Sequence, residues 1–113
     1  MINKSKEIIA AFKAESIDIL SSHVAESKTK FPCFTYSESG NSDSVVGDTL
    51  GYSDIQYTIE IWDNNYSSFV ENCKTADRIM KELAFVRTSG IEQQYNNLYR
   101  KIMIYNLFDK EVY

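Results

Sequence analysis

Asp54-Ile-Gln-Tyr-Thr-Ile-Glu-Ile-Trp-Asp63, running on into Asn64 to Arg87, is the stretch that decides the fold class. In its first ten residues Ile55, Tyr57, Ile59 and Ile61 alternate with Gln56, Thr58, Glu60 and Trp62. A period of two, rich in β-branched and aromatic side chains, predicts a half-buried strand. The period then changes. Phe69, Val70, Cys73, Ala76, Met80, Leu83 and Ala84 recur every three or four residues, which predicts an amphipathic helix over 67–85. Ser68 with Glu71 three residues on reads as its capping box. A strand feeding a helix makes the chain α+β, with a small mixed or antiparallel sheet of about four strands packed against an N-terminal and a central helix.

Outward from that unit, Ile8, Ile9 and Phe12 against Lys4, Lys6, Glu7 and Lys13 predict a first helix over 3–13, with Ser5 as a candidate cap. Ile17, Ile19, Leu20 and Val24 allow it to run through Ser16, and a break near Glu15-Ser16 fits equally well. In Phe31-Pro-Cys-Phe-Thr-Tyr36 the only proline stands where a strand should begin or lie at an edge. Residues 39–53 hold three of the four glycines and read as a long, flexible acidic loop, functional or disordered. Val45, Val46 and Leu50 inside it predict that it docks on something. Ile91 to Tyr95 is a weak strand, Asn96-Asn97 a turn, and Leu98 to Phe108 a strand apolar on both faces, as in the middle of a sheet or under a neighbouring subunit. Asp109 to Tyr113 reads as a charged tail.

At 113 residues, one domain spanning 1–113 is expected. A formal charge of −4 argues against binding nucleic acid through phosphate contacts. The charge is unevenly spread. Residues 37–63 carry Glu38, Asp43, Asp48, Asp54, Glu60 and Asp63 with no Lys or Arg, whereas 1–36 hold five Lys against four acids. Eight Tyr suit either strands or interfaces. Cys33 and Cys73 sit in apolar surroundings and read as free thiols in a reducing cytosol. No signal-like or membrane-length apolar run is present in the sequence.

The patterns that carry chemistry are missing. His23 is the only histidine, beside Ser21 and Ser22, and no nucleophile elbow accompanies it. One His and two distant Cys make no metal site, and Asp43, Asp48 and Asp54 lack calcium-loop spacing. Phosphate-loop and dinucleotide fingerprints are absent from the sequence. Glu60 and Asp63, three apart in a strand, point to opposite faces and make a poor carboxylate pair. Arg100-Lys101 reads as strand solvation. No catalytic residue, metal or cofactor is expected, and the chain reads as a structural or interaction protein rather than an enzyme.

Four stretches resemble one family, the tail terminator (tail completion, tail-to-head joining) proteins of long-tailed bacteriophages and prophages. Phe31-Pro-Cys-Phe-Thr-Tyr36 is similar to the strand after the family's first helix, and Ile59-Glu-Ile-Trp-Asp63 to its central strand. Ile79 to Arg87 resembles the end of its helix, with Ala84 where the family usually has glycine, and Leu98 to Tyr105 resembles its last strand. The resemblance implies a virion protein at the head-proximal end of the tail, assembled in the host cytoplasm. It implies a homo-oligomer, a hexameric ring that ends tail-tube polymerisation and joins the tail to the head–tail connector protein. Genomic DNA would pass through without specific binding, and no membrane is involved. Asp43, Val45, Val46, Asp48, Leu50, Tyr52 and Asp54 are the candidate contacts to lumen or tail-tube protein, and Tyr99, Arg100, Met103 and Tyr105 the candidate inter-subunit contacts. The alternative is a small monomeric α+β protein-binding module that uses an exposed sheet edge.

Overall fold

The computed structural model describes residues 3–21, 30–46 and 50–112. Helix α1 (Ser5–Lys13) is followed by strand β1 (Ile19–Ser21) and strand β2 (Cys33–Val46). Strand β3 (Leu50–Asp63), helix α2 (Tyr66–Glu82), strand β4 (Val86–Tyr95) and strand β5 (Leu98–Val112) complete the chain. The fold is α+β, with one mixed sheet in the order β1-β2-β3-β5-β4. Only β1–β2 is parallel, and the other neighbours are antiparallel. The sheet has five strands rather than about four. The added one, β1, comes from the stretch where the sequence allowed a longer first helix.

That first helix breaks. Ser16 takes φ 62°, and Ile17 N–H closes back on the Phe12 carbonyl at 3.0 Å while Ser16 N–H reaches Lys13 at 2.9 Å. The chain leaves α1 through a left-handed residue and starts β1 three residues later. Val24 and His23 lie outside the described residues. Asn3 rather than Ser5 supplies a side-chain oxygen at the start of α1, accepting Ser5 N–H at 2.9 Å.

The alternation in 54–63 sets the core. Ile55, Tyr57, Ile59 and Ile61 are buried beneath the helices, in register with Leu107, Tyr105, Met103 and Lys101 of β5. Phe34 stands beside Ile61 on β2. Ile8 and Phe12 from α1, and Phe69, Ala76, Ile79 and Met80 from α2, close over this face. Tyr57 and Tyr105 are cross-strand partners and fully buried. Each keeps its hydroxyl satisfied, Tyr57 against Ser5 Oγ at 2.8 Å and Tyr105 donating to Asp77 Oδ1 at 2.7 Å.

The start of α2 differs from the capping box expected at Ser68. Asn65 is the cap and its side chain accepts Ser68 N–H at 3.0 Å. Behind it Asp63, 2% exposed, accepts Asn64 N–H at 2.8 Å, Asn65 N–H at 3.2 Å, Ser68 Oγ–H at 2.6 Å and Asn72 Nδ2–H at 3.3 Å. A buried carboxylate at a helix N-terminus is held there by charge and hydrogen bonds together. At the other end Phe85 N–H bonds the Met80 carbonyl at 3.1 Å and Ala84 N–H that of Lys81 at 2.9 Å, a Schellman closure with Ala84 at φ 70°.

Within the expected loop 39–53, the described residues 39–46 and 50–53 are strand, and 47–49 lie outside the described residues. Residues 39–46 continue β2 and 50–53 begin β3, paired from Gly40↔Gln56 out to Val46↔Leu50 after one irregularity between Glu38 and Gly40. Residues 109–112 likewise continue β5 rather than trailing as a tail, with Leu50↔Val112 the last pair. Strand β4 stops pairing at Val86↔Asn106. Beyond the core row Asn41–Ile55–Leu107, β2, β3 and β5 therefore run on alone as a three-stranded tongue of five residue rows, roughly 17 Å long. The molecule measures 53 × 24 × 24 Å. The turn-forming composition is real, but strand pairing on both sides of β3 overrides it.

Candidate assembly surfaces

Both helices cover the same face of the sheet. Among the described residues no helix covers the opposite face, where the even-numbered residues of β3 and β5 stand. Trp62 and Arg100 are cross-strand partners there, with the guanidinium carbon 4.6 Å from the indole centroid. Arg100 also donates to Glu60, which shares the face, and to Gln93 Oε1 at 3.3 Å. Its Nε is buried without a partner. Beside this cluster Ile91, Ile102, Ser89 and Ile104 meet across β4 and β5. Val86 (65%), Ile91 (51%) and Tyr95 (51%) are widely exposed. An open apolar strip of this kind on a small domain is a candidate contact surface.

The outer edge of β4 is a second surface. Among the described residues it has no neighbouring strand, and it contains no proline and one Lys or Arg, Arg87. The irregularity between Arg87 and Ser89 interrupts only its first part, so Ser89 to Tyr95 offers unpaired backbone groups to an incoming strand.

A third surface lies on the helix side, where α2 leaves part of β4 and β5 uncovered. This groove, about 400 Å³, is floored by Phe69, Cys73 and Met103, with Tyr66 at one end. Tyr66, Phe69 and Tyr99 form one aromatic cluster, the Tyr66–Tyr99 centroids 5.0 Å apart. Lys74, Arg87, Lys101, Asp77 and Glu92 supply its charge. Burial would raise the Asp77 carboxyl, but hydrogen bonds from Lys81 and Tyr105 and the charge of Arg87 outweigh it and hold the group below its ordinary value. Burial, more than Glu92 and Asp63, pushes the Cys73 thiol up to about 11, so it stays protonated and unreactive near neutrality. Neither Cys33 nor Cys73 is in a disulfide.

The expected inter-subunit residues divide. Met103 (1% exposed) and Tyr105 (0%) are core residues beneath α2, because they sit in register with Ile59 and Tyr57, and Met103 also floors the groove. Tyr99 belongs to the aromatic cluster at the groove and Arg100 to the open sheet face, so the two lie on opposite sides of β5. The outward apolar row of β5 is the other one, Ile102 and Ile104. Of the expected loop contacts, Asp43, Val45, Val46, Leu50, Tyr52 and Asp54 are strand residues of the tongue, and Asp48 lies outside the described residues. Asp54 accepts Asn106 Nδ2–H at 3.3 Å. Glu60 and Asp63 do stand on opposite faces, one tied to Arg100 and the other to the start of α2. Sequence patterns did not reveal the role of Asp63, although Asp63-Asn64-Asn65 is a run of capping residues directly before the helix.

Among the described residues no three His, Cys, Asp or Glu side chains converge as metal ligands, and no helix is long and apolar enough to cross a membrane. No family model matches the chain, and a search of curated proteins brings no relative.

Proposed function

We propose that this chain is a structural protein of a long-tailed phage or prophage, assembling as a ring at the head-proximal end of the tail, ending tube growth and joining the tail to the head connector. The observation that carries the proposal is Ala84. The family that the sequence resembles usually has glycine before this phenylalanine, and here the residue before Phe85 takes φ 70°, a conformation glycine adopts without strain. A conformational demand at that position supports the alignment of Ile79 to Arg87 independently of side-chain likeness. The four resembling stretches also fall into one framework: the start of β2, the end of β3, the α2–β4 junction and β5.

The surfaces are those a ring subunit needs. Closed rings use heterologous contacts, one patch fitting a different patch on the next copy. An open sheet face, a bare strand edge, a groove and a projecting tongue supply unlike patches on different sides of one small domain. The net charge of −4 suits a channel through which DNA must slide without adhering. Adding the purified chain to growing tail tubes tests the role: capped tubes of defined length bearing a terminal ring are expected, and unrestrained tube growth with the chain unbound contradicts it.

The bare edge of β4 favours a second reading, a monomeric module that captures an extended peptide as a sixth strand. Binding of an extended peptide by a chain that stays monomeric and ignores tail tubes would select it.

A further inference from the structure

The tongue and the groove are complementary, and one chain cannot bring its own pair together. Strand β5 runs straight through both. Lys101 at the groove and Asp109 in the tongue are eight residues apart along it, roughly 27 Å of continuous strand. The described tongue, residues 42–46, 50–54 and 108–112, contains Asp43, Asp54, Asp109 and Glu111 against Lys110 alone. At the groove Asp77 is already engaged, by Lys81 at 2.8 Å, Arg87 at 3.8 Å and the Tyr105 hydroxyl. Among the described residues Lys74 has only the exposed Glu71, 3.7 Å away. Lys101 is half-buried and makes no hydrogen bond or ion pair among the described residues, although Glu92 is its cross-strand partner. The groove therefore presents unspent positive charge over an aromatic and sulfur-lined floor.

We propose that the tongue of one copy docks in the groove between α2 and β4 of the next copy, its carboxylates against Lys74 and Lys101. The inference rests on the ring reading and specifies its contact. Length agrees: a tongue of roughly 17 Å spans most of a neighbour whose short dimension is 24 Å. The contact is head-to-tail by construction, since tongue and groove are different patches, and repetition closes a ring or extends a filament. Part of its strength is electrostatic between partly exposed groups, so added salt weakens it.

The test uses the unaltered protein. Equal amounts of light and ¹⁵N-labelled chain are mixed, concentrated and treated with a water-soluble carbodiimide. The reagent activates a carboxylate and leaves as its urea once a lysine amine in contact has formed the amide. Mass spectrometry of the digest is expected to find light–heavy peptide pairs joining tongue carboxylates to Lys74 or Lys101. A charge exchange checks the same pair: Lys74→Glu should raise the concentration needed for assembly about tenfold, and adding Asp43→Lys should restore it. Circular dichroism confirms that both variants fold. Rings whose inter-chain links all lie elsewhere overturn the tongue–groove contact and leave the ring reading standing. A chain that stays monomeric alone and on tail tubes overturns both.

Discussion

Ala84 holds a left-handed conformation with a side chain that disfavours it. The strain of such a residue is roughly 1–2 kcal/mol, and glycine gives back part of the relief through its freer unfolded state. Ala84→Gly is therefore expected to stabilise the chain by about 0.5–1 kcal/mol and raise Tm by roughly 3–6 °C in a thermal melt. Asp63 works in the opposite sense. Asp63→Ala strips four part-buried hydrogen bonds from the start of α2, so a loss of about 1–3 kcal/mol is expected, read as a lower urea midpoint at unchanged slope. Asp77 links stability to pH. Its carboxyl lies below its ordinary value in the fold, against the pull of burial, through Lys81, Tyr105 and Arg87. The stability it contributes is fully present above the ordinary carboxylate range and is lost as pH falls through the depressed value. Asp77→Asn should accordingly flatten the stability curve below about pH 4 relative to the parent chain, in urea titrations at stepped pH.

Strands and helices were legible wherever a single period dominated. The alternation of Ile55 to Ile61 and the three-and-four spacing of Phe69 to Met80 report burial directly, and both elements stand where those patterns put them. The tongue was not legible, because Gly, Ser and Asp in 39–53 match turn chemistry, and only the pairing of 40–46 with β3, and of β3 with β5 from far along the chain, makes the described ones strand. Strand β1 was hidden for a similar reason: three residues carry no period, and their partner Phe34 to Tyr36 is parallel and remote. On β5 two apolar rows alternate, and sequence alone does not say which one the helices cover. Register with Tyr57 and Ile59 decides it, which is why Met103 and Tyr105 are core while Ile102 and Ile104 face outward. Being a late addition to a finished core, the tongue should be separable. Replacing residues 43–53 by an Asn-Gly turn between the paired Ser42 and Asp54 is expected to change folding stability by no more than about 1 kcal/mol while abolishing self-association in sedimentation velocity.

As a whole the molecule is a one-sided sandwich with an arm. Helices cover one face except at the groove, and among the described residues the other face, the β4 edge and the tongue are uncovered. A domain of 113 residues gains little stability from a single core, and the proposed assembly would add to it by mass action. The central claim is that copies of this chain close into a ring. Native mass spectrometry combined with electron microscopy of the concentrated protein, alone and with tail tubes, tests that most directly. Closed rings of about six 13.0 kDa chains, seated at one end of the tube, are the predicted result. A species of one chain mass in every condition, with bare tube ends, would contradict it.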